Sequence, residues 1–370
     1  MGAERGRREP KHRGARTPAP TSGLSKPMLA ESPTLPAAAA ALPEAAPLLD
    51  VLVIGAGPVG LACGLEAQRA GLRVAVIDKG ALVNSLVGYP TNMEFFSTPE
   101  LLEIGSYPFP TNAYKPLRED ALDYYHRVAA AEKLDLRLYE RVLSLEGEAG
   151  DFTAHTEKGQ LRTRSVIVAT GIFDVPNRLP VPGADLPHVS YYYKEPYPHV
   201  GRDVVVIGAK NSAAKAALQL ARAGARVTLL VRGAEISESV KYWIRPDLIN
   251  RIAEGRIRAH FQTQILEIRP GAVDVMTPAG PRTVPADFVY ALTGYRPDYR
   301  LLEALQVPIG ADEARTPAFD PATHESARPG VFLAGTVCGG LLTSRWFIEN
   351  GRHHARLIAA RLRQSALAVV

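Results

Sequence analysis

The residues best placed to do chemistry in this chain are glycines. Gly55-Ala56-Gly57-Pro58-Val59-Gly60 follows the apolar run Asp50–Ile54 (DVLVI) and opens a stretch of helical character. In such a turn Gly55 permits the tight bend and Gly57 lets backbone approach a pyrophosphate. Gly60 lets helix and strand pack closely, and Gly64 continues that smooth face. Free N–H groups and positive partial charge at the helix start then face the phosphates. Asp78, followed by Lys79, ends the next apolar run. A carboxylate there accepts hydrogen bonds from both hydroxyls of an adenosine ribose and repels a 2′-phosphate. Strand, turn, helix and acid in that order mark a site for FAD or NAD.

A second string, Gly208-Ala209-Lys210-Asn211-Ser212-Ala213, lies about 150 residues further on and repeats the plan with changes. Gly208 keeps the turn, Lys210 takes the place of the second glycine, and Ala213 that of the third. Lys210, Asn211 and Ser212 are all donors able to face phosphate. Val231 stands where Asp78 stood, and Arg232 follows it. A guanidinium there favours a 2′-phosphate through charge-assisted hydrogen bonds, so NADPH is expected over NADH, with Lys241 as a second charge. A solvated surface charge is the lesser reading of Arg232 and at least as simple a reading of Lys241.

The elements that must position these residues follow from periodicity and punctuation. The first unit is a strand Asp50–Ile54, a helix Pro58–Ala70 stopped by Gly71, and a strand Arg73–Ile77. Arg118–Lys133 has helical spacing, Leu134–Arg164 suggests short antiparallel strands, and Ser165–Thr170 is a buried strand running into Gly171. The second unit is a strand Arg202–Ile207, a helix Asn211–Ala223 and a strand Ala225–Val231. Ile257–Pro285 again suggests antiparallel strands, and a further strand ends at Leu292-Thr293-Gly294. Gly330–Ala334 reads as a strand and Trp346–Arg363 as one helix. The implied class is α/β, with two Rossmann-like three-layer domains, the second inserted in the first.

Composition narrows the function classes. Hydrophobic residues make up 46% and charged residues 22%, ordinary for a globular protein. No apolar run approaches the roughly 20 residues needed to span a bilayer, so no membrane role is expected. The net charge of +5 sits entirely in residues 1–26, and the remainder holds 36 charges of each sign, so no nucleic-acid partner is expected. Residues 1–46, rich in Arg, Pro, Ala and Ser, read as a disordered tail. The two cysteines, Cys63 and Cys338, form neither a CxxC nor a metal-ligand cluster, which fits a reducing cytoplasm and leaves no metal site to expect.

The C-terminal string Gly330-Val331-Phe332-Leu333-Ala334-Gly335-Thr336, followed by Phe347-Ile348-Glu349-Asn350-Gly351, resembles the closing motif of thioredoxin-reductase-like flavoproteins. Tyr89-Pro90-Thr91, Phe95-Phe96-Ser97, Ile104-Gly105, Pro108-Phe109, Lys210-Asn211-Ser212-Ala213, Gly294-Tyr295 and Pro297-Asp298-Tyr299 complete a resemblance to the bacillithiol-disulfide reductase family over about residues 50–365. That resemblance implies FAD in a domain of residues 47–195 and 291–370 and NADPH in a domain of residues 196–290. It places the flavin against Gly55, Gly57, Pro58, Val59, Gly60, Asp78, Lys79, Tyr89, Thr91, Thr170, Gly171, Gly335, Thr336 and Ile348. It implies hydride transfer from NADPH to flavin, then reduction of a small-molecule disulfide, bacillithiol disulfide, by a homo-oligomer.

Two departures bear on mechanism. Thr336 stands where these flavoproteins carry Asp, and Val59 where some members of the family carry Cys. Either the reduced flavin acts on the disulfide directly or Cys63, one helical turn beyond Val59, substitutes. A small buried core residue is the plainer reading of Cys63, and a packed loop thiol that of Cys338. His354 is a candidate proton donor to a leaving thiolate, against a structural or interfacial histidine. The alternatives are an NADPH–ferredoxin or –flavodoxin reductase and a dinucleotide-binding redox sensor without turnover.

Overall fold

The computed structural model describes residues 48–91 and 93–367. The tail assigned to residues 1–46 lies outside the described residues.

Seven strands make the first sheet, in the order Asp135–Arg137, Val74–Ile77, Leu49–Ile54, Gly159–Val168, Asp151–Thr156, Val142–Glu148, with Val331–Leu333 also on Gly159–Val168. Gly159–Val168 explains how one strand serves three partners. Its first half alternates exposed and buried and pairs antiparallel with Asp151–Thr156. Its last three residues are buried on both faces and lie between Leu49–Ile54 and Val331–Leu333, parallel to both. Alternation suits a half-solvated antiparallel sheet and a continuous apolar run suits a covered parallel one. The expected separate strand Ser165–Thr170 is therefore the end of this longer strand. Within Leu134–Arg164, Asp135–Arg137 is not antiparallel but a parallel edge beside Val74–Ile77.

The second sheet runs Ile257–His260, Arg226–Leu230, Asp203–Ile207, Phe288–Ala291, Val189–Ser190, all parallel. Ile257–His260, expected among antiparallel strands, is thus a parallel edge too. The antiparallel meander is Gln264–Arg269, Gly271–Thr277 and Gly280–Ala286. Val204 and Val206 point to the helix Asn211–Arg222, while Val205 and Ile207 point to Val273, Val275 and Val284 of the meander. Helix, parallel sheet and meander make three layers, and the run DVVVI is apolar throughout because both faces are covered. Val51 and Val53 against Leu52 and Ile54 divide in the same way in the first sheet.

The chain passes between the sheets twice, and the two passages pair as a ribbon, Val175–Pro176 against Tyr295–Arg296. Val189–Ser190 already belongs to the second sheet, ahead of the boundary read at residue 196. The expected helix Trp346–Arg363 is two pieces, Ile348–Gly351 and His354–Leu367, broken at Arg352 and His353. No helix among the described residues is long and apolar enough to cross a membrane.

Candidate functional site

The first turn shows which glycines the protein itself requires. Gly55 has φ +111°, and a Cβ there would lie 2.5 Å from the carbonyl oxygen of Ala169. A Cβ on Gly60 would lie 1.8 Å from the carbonyl oxygen of Gly55, and one on Gly64 2.6 Å from Val76. Gly57 differs, because a Cβ there would meet nothing within 4 Å. Nothing in the protein demands glycine at Gly57, and the open side is the one a pyrophosphate would approach. Pro58 opens the helix Pro58–Arg69, and no side chain caps its amides.

Asp78 holds this turn together. One carboxylate oxygen accepts from the Ala56 N–H at 2.8 Å and the other from the Gly80 N–H at 2.8 Å. Burial raises its pKa, against the lowering effect of those two N–H groups. Lys79 pairs with Asp174 at 2.8 Å. Gly55, Asp78, Lys79, Thr170, Gly171, Asp174 and Arg296 are among the residues lining one cavity of about 280 Å³.

The closing segment meets the turn from the other side. Gly335, at φ +78°, packs so closely that a Cβ would lie 3.3 Å from Val59. Gly171 lies within 3.5 Å of the Thr336 hydroxyl on the same measure, and Gly351 within 3.3 Å of Gly335. Ile348 starts the short helix behind them, with the Phe347 N–H donating to Asn350 Oδ1 at 2.7 Å. Val59, Gly171, Gly335, Thr336 and Ile348, scattered in sequence, therefore converge. Tyr89 is half-buried, edge-on to Phe173 at 5.0 Å. Thr91 is not brought to this group. Its N–H donates to the Lys194 carbonyl at 3.0 Å, and it lines a second cavity with Glu195, Tyr197 and Arg222.

His354 is 2% exposed, and its Nδ1 accepts from the Gly335 N–H at 3.1 Å. Its hydrogen is thereby placed on Nε2, which is buried without a partner. Burial first, then the nearby His324 and His353, push its pKa down to about 3. His324 lies tilted against it with ring centroids 3.9 Å apart and donates from Nδ1 to the Leu333 carbonyl at 3.0 Å. Cys338 completes a buried group in which ligand atoms of His324, Cys338 and His354 lie within 4.8 Å of one another. No motif spacing links these positions, so the group is not legible from sequence. The tilted rings lie close together, and His354 Nδ1 and His324 Nδ1 are both already engaged with backbone groups. Cys63 is 1% exposed among core residues of its helix, and burial raises its thiol pKa. Cys338 is also buried, its pKa pushed up to about 12.

The second turn repeats the first in outline. Gly208 has φ +142°, and a Cβ would lie 2.6 Å from the Leu292 carbonyl oxygen. Lys210, exposed, is the residue just before the helix Asn211–Arg222, Ser212 is exposed at its start, and Ala213 is buried under it. The Asn211 side chain donates to the Ser239 carbonyl at 3.1 Å and accepts from the Lys241 N–H at 3.0 Å, which ties the loop after the strand to the turn. Val231 is fully buried and Arg232 exposed. The Lys241 ammonium leans on Phe96 and Trp243, 5.4 and 5.8 Å from their ring centres.

Two parallel-sheet units with one glycine turn each, joined by a paired ribbon and closed by a C-terminal helix, define a two-nucleotide oxidoreductase of thioredoxin-reductase-like fold. Residues 52–335 match the pyridine nucleotide-disulphide oxidoreductase family. The chain is 41% identical over 315 residues to the bacilliredoxin reductase Bdr of Bacillus subtilis (strain 168), covering 84% of this chain and 96% of that protein. It superposes on the bacillithiol disulfide reductase Bdr from Bacillus cereus with a TM-score of 0.84 and 38% identity, over 86% of this chain and 100% of the other. Thioredoxin reductase of T. acidophilum shares the fold, with a TM-score of 0.69 at 20% identity over 86% of this chain and 99% of its own. The chain belongs to the pyridine nucleotide-disulphide oxidoreductase family and, within it, to the Bdr group. It is a flavoprotein oxidoreductase that works with flavin and nicotinamide cofactors.

Proposed function

We propose that the chain is an NADPH-dependent, FAD-containing reductase of a low-molecular-weight disulfide, bacillithiol disulfide, acting in the cytoplasm as a homo-oligomer. The similarity to the Bacillus Bdr proteins, which runs through both turns and the closing helix, carries this reading. The residues 47–195 and 291–370 are assigned to FAD and 196–290 to NADPH, save that Val189–Ser190 and Ala291 go with the second sheet, the strand pair Val175–Pro176 and Tyr295–Arg296 being the passage between the two.

The residues present fit these groups. The open side of Gly57 admits a pyrophosphate against the amides of Pro58–Arg69. Asp78, already fixed by Ala56 and Gly80, presents its carboxylate to a ribose in the cavity it lines. Ile348 starts the short helix that packs on Gly335 through Gly351, and Thr336 is offered as a hydroxyl partner. In the second unit Lys210 and Ser212 stand at the helix start for phosphates, and Arg232 for the 2′-phosphate. Held by these residues, FAD and NADPH would supply the two-electron chemistry that reduction of a disulfide requires.

The protein's own part is to bind, orient and exclude. His354, neutral and buried, is a positioning residue: it holds the Gly335 N–H, and with it the strand end that faces Val59. Cys63 and Cys338 take no catalytic role in this reading, because burial keeps both as thiols and a thiol is a poor nucleophile. In this reading the protein supplies no thiol relay, and a bound flavin would act on the disulfide itself.

The test is an anaerobic titration with NADPH, followed at the flavin absorbance band, with bacillithiol disulfide then added. Bleaching by NADPH and recovery with the disulfide is the expected result. Bleaching without recovery removes the disulfide as substrate and leaves ferredoxin or flavodoxin as the acceptor. A bound flavin that NADPH leaves unbleached makes the chain a sensor.

A further inference from the structure

Beside the second turn, on the side of its helix, three lysines from three separate segments gather over one pair of aromatic rings. Phe96 and Trp243 meet edge to face, 6.0 Å apart. The Lys115 ammonium lies 3.9 Å from the centre of the Trp243 ring, and that of Lys215 4.9 Å from Phe96. Lys241 leans on both rings. Tyr242 stands edge-on to Trp243 at 4.8 Å and is 83% exposed, and Tyr114, next to Lys115 in the chain, is 81% exposed. Lys215 also donates to the Glu94 carbonyl at 3.1 Å, so the group straddles the seam between the segment around residue 95 and the helix Asn211–Arg222.

The group brings three ammonium charges together without a salt bridge to any of them. Arginines nearby are neutralised: Arg222 and Arg251 both reach Asp247, and Arg245 reaches Glu235. Among the described residues, Lys115, Lys215 and Lys241 form no ion pair within 4.0 Å. The carboxylate of Glu94 adds its field at Lys215 without closing a pair, and Lys115 opposes it. Ring faces attract the ammonium groups but do not neutralise them. Like charges held together in this way gain from an incoming anion.

We propose that this surface docks an acidic protein partner across the seam. Three charges without partners supply the complementarity and steer encounter. Exposed Tyr and Trp rings supply the contact area, the residue types enriched where proteins bind proteins. A small nucleotide at the second turn, to which Lys241 is tied through Asn211, is the competing occupant and is separated by the test. The inference goes beyond the reduction of a small disulfide and does not depend on it.

The holoprotein is titrated with a poly-L-glutamate chain of about 20 residues as the acidic probe, the length being chosen to span a standard contact patch. Binding is read from tryptophan emission, to which Trp243 and Trp346 alone contribute. Saturable binding is expected, weakening about tenfold between low salt and physiological salt. Lys115→Glu is expected to weaken it at least tenfold, and Tyr242→Ala several-fold, with the bleaching of flavin by NADPH unchanged in both. Tyr242 is too exposed for its loss to unfold the protein, so its variant guards against a trivial result. Equal binding by wild type and Lys115→Glu overturns the proposal. Competition of the probe with NADPH overturns it in favour of a nucleotide subsite. Binding to phosphatidylserine vesicles but not to polyglutamate overturns it in favour of a membrane surface. Failure of the small disulfide to reoxidise the flavin leaves this outcome untouched, so the two readings fail separately.

Discussion

The two glycine turns occupy the same place in two similar units, yet they keep different residues for different reasons. Gly55 and Gly208 are both forced by protein, each with a carbonyl of the neighbouring strand end, Ala169 or Leu292, where a Cβ would go. The third positions diverge. Gly60 lies against the backbone of its own turn, while Ala213 fits in the second unit, where its Cβ stands 3.0 Å from the place a Cβ on Gly208 would take. The second positions, Gly57 and Lys210, are not dictated by packing in the first unit at all. The comparison separates glycines that the fold needs from a glycine left for a ligand. It also separates the strand ends, where Asp78 faces a turn that it braces and Arg232 faces solvent.

The largest effect is expected at Gly60. Gly60→Ala forces a methyl group into the Gly55 carbonyl, an overpacking that cannot relax through a side chain. A loss of about 3 kcal/mol in urea unfolding, with flavin lost on purification, is expected. The mirror change Ala213→Gly costs about 1 kcal/mol from helix propensity alone. Comparable losses in the two would break the distinction drawn between the turns.

Gly57→Ala comes next and sharpens it. Its φ of −73° is open to alanine and nothing lies within 4 Å, so stability holds or rises by about 0.5 kcal/mol. Flavin retention is expected to fall about tenfold, because the methyl group stands where backbone and pyrophosphate would meet. Unchanged flavin affinity in equilibrium dialysis would falsify the ligand-side reading of Gly57. In the second turn Arg232→Ala is expected to raise the KM for NADPH about tenfold and leave that for NADH alone, as loss of one charge-assisted contact predicts. An equal rise for both nucleotides places Arg232 somewhere other than the 2′-phosphate.

Much of this was legible in the sequence, and the reason is locality. Strand, turn and helix around Gly55 and Gly208 are written in consecutive residues, and so are the stops at Gly71 and Gly224. Partners far apart in the chain were harder to read. Asp135–Arg137 and Ile257–His260 look like the antiparallel strands that follow them, and only pairing with Val74–Ile77 and Arg226–Leu230 makes them parallel edges. Val189–Ser190 is two residues long and carries no periodicity. At the site, the glycines and Asp78 were visible because their spacing is a motif. The buried contact of His324 with His354, and the lysines around Trp243, join segments with no spacing in common. Thr91 was carried over from a resemblance in the string, and the fold puts it at the seam.

His354 provides the smallest and most discriminating test. Its folded pKa of about 3 lies below the ordinary histidine value of 6.5, because burial disfavours the imidazolium. The unfolded chain therefore binds a proton below pH 6.5 that the folded chain refuses. Stability from this group is complete above pH 6.5 and is lost as pH falls toward 3, at up to about 1.4 kcal/mol per pH unit. His354→Asn keeps an acceptor for the Gly335 N–H but cannot titrate. At pH 7 the variant is expected to be less stable by about 1–2 kcal/mol through lost packing. On acidification the gap should close and then reverse, since only the wild type is penalised. The reoxidation rate of the reduced enzyme by disulfide should show the same pH profile in both proteins between pH 6 and 8, roughly the range in which an ordinary histidine acid would titrate. A stability gap that stays flat from pH 7 to 4 means that the imidazole titrates normally in the fold. A pH profile that loses a limb in the variant makes His354 the proton donor and not the brace for Gly335.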